Sequence, residues 1–174
     1  MPNIRKFFVA VLALSSAQLM AKPAPHYSAI APIFLANGTD TGLAVITRVR
    51  GKTVLKISLN GLTPGAHGLH LHSTGSCKGD GFSRAGAHLN PGSHMHGKLN
   101  PAGSHLGDLP NLTADASGNV VTEIPVSMNI KSLFTAMFDA DGTSIVIHTA
   151  ADDYATDPSG NSGARIACGV FRRK

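Results

Sequence analysis

Apolar and polar side chains alternate along this chain in short runs, and each run is bounded by turn residues. GLAVITRVR (residues 42–50) sets Leu43, Val45, Thr47 and Val49 against Ala44, Ile46, Arg48 and Arg50. Gly51 and Lys52 can then turn the chain into TVLKISL (53–59), where Leu55, Ile57 and Leu59 alternate with Lys56 and Ser58. VVTEIPV (120–126) follows the turn residues DASGN, TSIVIH (143–148) follows DADG, and RIACGVF (165–171) closes the chain. Successive strand side chains point to opposite faces, so a period of two with polar turns specifies antiparallel strands. No segment carries a sustained helical period. The 19 Gly, the 10 Pro and the absence of Trp suit short strands and turns better than long helices. At 174 residues the chain has room for one domain with a real core. The expected fold is all-β, a Greek-key antiparallel β-sandwich or flattened barrel of about eight strands.

Two stretches break the alternation, residues 73–111 and 149–163. Structureless loops of that length are uncommon in a compact domain unless they are functional or disordered. Six of the nine histidines lie in or at the edges of these loops, which favours function. A third feature points the same way. In GLHLH (68–72), Leu69 and Leu71 share one face of a strand, and His70 and His72 share the other. The leucine face reads as core. The histidine face has to be solvated, hydrogen-bonded or bound to something.

The N-terminus reads as separate from the fold. Arg5 and Lys6 precede an apolar stretch over residues 7–14 and then small residues, the layout of a secretory signal peptide over residues 1–21. The apolar stretch is too short to span a bilayer. Cleavage is expected after Ala17 or Ala21, leaving 22–174 as a single domain without a membrane span. Arg5 and Lys6 supply two of the five net positive charges, so the mature chain carries +3 and gives little support to nucleic-acid binding. The basic end, Arg172-Arg173-Lys174, reads as a solvated terminus. Export also decides how Cys77 and Cys168 read, since a lone pair in an oxidising compartment forms a disulfide by default.

Beyond His70 and His72 come His88, His94, His96, His105 and His148, with Asp108 three residues after His105. Imidazole suits copper and zinc, and a carboxylate is an acceptable fourth zinc ligand. There are more imidazoles than one tetrahedral ion can use, which implies two sites or one site with spectators.

The blocks HGLHLHSTGSC, AGAHLNP, HLGDLPNLTAD and IVIHTAADD, followed by GNSGARIACGV, resemble in this order the copper,zinc superoxide dismutases, particularly the exported bacterial kind. The likeness runs over residues 42–171. It implies copper ligands at His70, His72, His88 and His148, and zinc ligands at His88, His96, His105 and Asp108, with His88 bridging. It also implies a Cys77–Cys168 disulfide and an active-site arginine at Arg165. Asp152 takes the place of a carboxylate joining a copper histidine to a zinc histidine. The activity implied is dismutation of superoxide to dioxygen and hydrogen peroxide, by alternate reduction and reoxidation of one copper beside one structural zinc. His88 and Arg165 are then the residues that act on the substrate. A periplasmic or otherwise extracytoplasmic location follows from the resemblance, and family members exist both as monomers and as homodimers.

The match is imperfect in places. Leu69 and Leu89 stand where phenylalanine is more usual in the family, and His94 has no fixed role. The loop YATDPSGNSGA lacks the charged cluster many members use to shape the field, so attraction of the anion either falls to Lys78, Arg84 or Lys98 or is weaker. The rival readings are an exported copper or zinc carrier that uses the same histidines without turnover, and a zinc hydrolase with a metal-bound water. Arg165, the bridging position and Asp152 are all present, which argues against a carrier. No general base stands out near the histidines other than Asp152 or Asp153, which argues against a hydrolase.

Overall fold

Each alternating run becomes a strand in the computed structural model, which describes residues 27–174. The expected signal segment, with Ala17 and Ala21, lies outside the described residues. The strands are β1 Ser28–Leu35, β2 Asp40–Val49, β3 Lys52–Leu59, β4 Gly65–His72, β5 Asp108–Ala114, β6 Val120–Val126, β7 Ser144–His148, β8 Arg165–Val170 and the two-residue β9 Arg172–Arg173. A short 3-10 segment, Asp80–Ala85, and one helix, α1 Ile130–Met137, interrupt them. Eight strands follow one another in the order β5-β4-β7-β8-β1-β2-β3-β6, with β9 paired to β1. Every pairing is antiparallel. The sheet curls into a barrel that is nearly closed, with an unpaired seam between β5 and β6. Each of those edges carries an exposed proline, Pro110 on β5 and Pro125 on β6.

Period two sets which side chains face inward. On β2 it is Ala44 and Ile46, both fully buried, that meet the core, along with Leu55, Ile57 and Leu59 of β3. Leu43 is left 38% exposed and Val121 84% exposed on the outer surface. Leu69 and Leu71 of β4 join Ile33, Leu112, Ile145 and Ile147 in the interior. The leucine face of GLHLH is core, and leucine at 69 and 89 fills space that the barrel closes over.

Three elements depart from the expectation. The stretch 73–111 shows little alternation in sequence, yet β5 begins at Asp108 within it; Pro110 and a register shift against β4 hide its alternation. β1 buries Ala29, Ala31 and Ile33, small residues around Pro32 that give a weak apolar signal. α1 is a genuine helix of two turns. Ile130, Leu133, Phe134 and Met137 form its buried face, and the Asn129 side chain accepts a hydrogen bond from the Lys131 N–H at 2.8 Å. Eight residues are too few for a periodic signal to stand out. The basic end is exposed as expected but is tethered. Arg173 pairs with Ala29, and its guanidinium lies 4.7 Å over the Phe138 ring.

Cys77 and Cys168 are joined in a disulfide that fastens the loop after β4 to β8. The 91-residue separation means that the bond removes about 4–5 kcal/mol of chain entropy from the unfolded state.

Candidate metal centre

β4 and β7 are neighbours, with Leu69 opposite Ile147 and His72 opposite Ser144. That register puts His70 and His72 beside His148, the last residue of β7. His88 comes from the long loop and is bridged to His72 through an isolated antiparallel contact. All four rings are buried, and one nitrogen from each lies within 4.8 Å of the others. The His70 and His88 rings stack with centroids 3.9 Å apart.

Hydrogen-bond accounting distinguishes the two nitrogens of each ring. His70 Nε2 lies 2.7 Å from Asp152 Oδ2, His72 Nδ1 2.9 Å from the Gly86 carbonyl, and His148 Nδ1 3.1 Å from the Gly163 carbonyl. The opposite atoms, His70 Nδ1, His72 Nε2 and His148 Nε2, are buried without a partner, as is His88 Nε2. Four buried lone pairs facing one another are costly unless a cation satisfies them. Burial also keeps His72, His88 and His148 neutral, against the opposing effect of their hydrogen bonds. It pushes His72 down to about 2 and His88 and His148 down to about 4. Four unpartnered imidazole nitrogens suit copper.

The other side of His88 faces a second cluster. Asp108 Oδ1 lies 2.9 Å from His88 Nδ1, 3.1 Å from His96 Nδ1 and 3.1 Å from His105 Nδ1. His105 Nδ1 and His88 Nδ1 are 3.4 Å apart. Tetrahedral zinc with bonds of about 2.0–2.1 Å holds its donors about 3.3 Å apart, so these four atoms have the spacing of a closed zinc set. Asp108 Oδ2 accepts hydrogen bonds from the Gly97 and His105 N–H groups, each at 2.9 Å, which turns Oδ1 toward the rings. Burial opposes ionisation of Asp108, but the His88 and Gly97 hydrogen bonds and the adjacent imidazoles win and hold its carboxyl below the usual range.

Asp152 joins the two clusters. Its Oδ2 meets His70 Nε2, and its Oδ1 lies 3.0 Å from His96 Nε2, with the carboxylate 3% exposed. Carboxylates so placed fix ring orientation and tautomer. Arg165 opens β8, and its guanidinium donates to the carbonyls of Phe82 at 2.9 Å and Gly86 at 2.8 Å. The Gly86 carbonyl therefore serves both Arg165 and His72. Lys78 and Arg84 are exposed, whereas the Lys98 ammonium sits 3.9 Å over the Tyr154 ring. His94 is exposed and belongs to neither cluster.

Several supporting residues escaped the sequence reading. His67 is buried, with Nδ1 2.7 Å from the His148 carbonyl and Nε2 2.8 Å from that of Thr63, tying the end of β7 to a turn. Asn111 on β5 clamps the Asp152 backbone through two hydrogen bonds of 2.9 Å. The only sequence signal was for His67, which stands at the head of the HGLHLH block.

The comparisons with known proteins agree with this geometry. Residues 40–171 match the copper/zinc superoxide dismutase family model. The chain is 42% identical to the Cu-Zn superoxide dismutase of Caulobacter vibrioides, across 97% of this chain and 99% of that one. A superoxide dismutase-like protein from Bacillus subtilis superposes with a TM-score of 0.75 at 39% identity, covering 81% of this chain and 96% of that one. The Cu/Zn superoxide dismutase of Brucella abortus does so at 0.68 and 34%, covering 82% and 98%.

Proposed function

Since the chain belongs to the copper/zinc superoxide dismutase family, we propose that its two buried clusters divide the work of one active site. His70, His72, His88 and His148 hold copper; His88, His96, His105 and Asp108 hold zinc. The protein is an oxidoreductase that dismutes superoxide to dioxygen and hydrogen peroxide. Copper, when bound, supplies the one-electron exchange that takes an electron from one superoxide and returns it to the next.

The chain's own residues do the rest. Arg165, held by two carbonyls, keeps a fixed cation beside the copper set and binds the small anion by charge-assisted hydrogen bonding. Its attraction adds to a positive approach that raises the on-rate and is screened by salt. His88 has Nδ1 committed to the zinc set, so Nε2 is the atom on this ring that takes up a proton and passes it to the peroxide product. Asp152 holds His70 and His96 in the tautomers that aim their free nitrogens at the two sets. Four protein donors close the zinc set, which makes that ion structural.

We also place the mature enzyme outside the cytoplasm in the periplasm, after cleavage of the signal segment behind Ala17 or Ala21. The disulfide supports an oxidising compartment. N-terminal sequencing of periplasmic protein checks this, with Gln18 or Lys22 expected as the first residue. The observation that carries the functional reading is the convergence of four buried, unpartnered ring nitrogens on one point. Its test is superoxide turnover by the mature protein reconstituted with copper and zinc, with metal content measured on the same sample. One copper and one zinc per chain, with turnover lost in His148→Ala, is expected. Two ions bound without turnover would make the protein a metal carrier instead.

A further inference from the structure

The seam between β5 and β6 is the floor of a cleft of about 710 Å³. Its inner wall includes His105 and Asp108, two of the four zinc donors, and its rim includes Asn90, His94, Ser127 and Met128. His105 is the most exposed histidine of the zinc set at 9%, while His96 is fully buried. The cleft is therefore lined by side chains of the zinc set and by none of the copper set.

His94 is built into the rim. The Asn90 side chain grips its backbone on both sides, donating to the His94 carbonyl at 2.8 Å and accepting from its N–H at 3.0 Å. The ring lies against Gly92, where a Cβ would come within 2.9 Å of His94 Nε2. Among the described residues the ring makes no hydrogen bond, so its lone pair is free. It stands two residues before His96 and on the same cleft as His105.

We propose that His94 is a capture ligand for zinc, holding the incoming ion at the mouth of this cleft and passing it inward to His105 and Asp108. The proposal rests on the assignment of His88, His96, His105 and Asp108 as the zinc set. The chemistry is stepwise ligand exchange. A hydrated divalent ion must shed its waters in turn, and an imidazole at the rim replaces one of them before the buried donors are met. Holding the ion there converts its next bond into an intramolecular one, at high effective concentration. Once the tetrahedral set has closed, His94 lets go and plays no part in retention.

The test uses metal-free full-length mature protein and zinc ions alone, following the rate of zinc uptake by stopped flow against a chromophoric indicator. His94→Ala should slow uptake about tenfold, while final stoichiometry stays at one zinc per chain and retention against a chelator stays at wild-type level. Ser127→Trp narrows the rim without touching a donor and should also slow uptake. Unchanged uptake in His94→Ala overturns the proposal. So does weaker retention in that variant, because His94 would then belong to the resting site. His105→Ala separates the premise: if it leaves zinc bound as tightly as before, the zinc-set assignment fails, whatever His94 does.

Discussion

Gly160 shows how much a single residue without a side chain can hold in place. Its φ is +65°, a left-handed conformation, and a Cβ there would collide with Asp152 Oδ1 and come within 2.7 Å of His96 Nε2. Gly160→Ala should cost about 1–3 kcal/mol in backbone strain. Displacing Asp152 should also weaken zinc retention by about 10–100-fold, read by chelator competition. Asp153, next along, has a separate task. Its carboxylate accepts from the Thr156 hydroxyl at 2.6 Å and from the N–H groups of Thr156 and Ala155, and these bonds push it down to about 2. A depressed carboxyl stabilises the folded loop fully above the ordinary aspartate range near 4, and that contribution disappears as pH falls through about 2. Carboxyl NMR should place the Asp153 midpoint near 2. Thr156→Val should raise it. At this scale the candidate ligand types are legible from the histidines and Asp108. His67 and Asn111 are not, because their partners are backbone groups brought close only by folding.

Among the elements, α1 offers the cleanest separation of stability from chemistry. Leu133 is fully buried in the core, and nothing in α1 lines either metal cluster. Leu133→Ala should cost about 2–5 kcal/mol, read as a lowered urea midpoint, with metal content unchanged. Six of the strands stand out in the sequence because turn residues bound their apolar runs. β1 and β5 do not, since Pro32 and Pro110 and the bulges beside Ile33 and His67 blur the period. The sites suffer the same limit more sharply. GLHLH announces two histidines on one strand face, but nothing local to it says that His148, 76 positions after His72, ends the strand paired alongside. Only the resemblance across four separate blocks supplied that partnership. The geometry supplies its cause, which is the register of β4 against β7.

For the molecule as a whole, covalent and metal links hold what the barrel alone leaves loose. Both long loops lie outside the sheet, and each is fastened to it: one by Cys77–Cys168, the other by Asp152 through Asn111 and the histidines. Stripping both ions should lower the calorimetric Tm, because a ligand held only by the folded state contributes about 4 kcal/mol at about a thousand times its Kd. Converting Cys77 and Cys168 to serine should remove a similar amount. The seam between β5 and β6 has a different significance for chains at high concentration. Two unpaired strand edges side by side are a template on which another copy's backbone could add and keep adding. Proline has no N–H to donate, and one proline sits on each edge. Pro110 and Pro125 thus blunt both edges against growth into fibrils, and the seam can stay unpaired without becoming a seed.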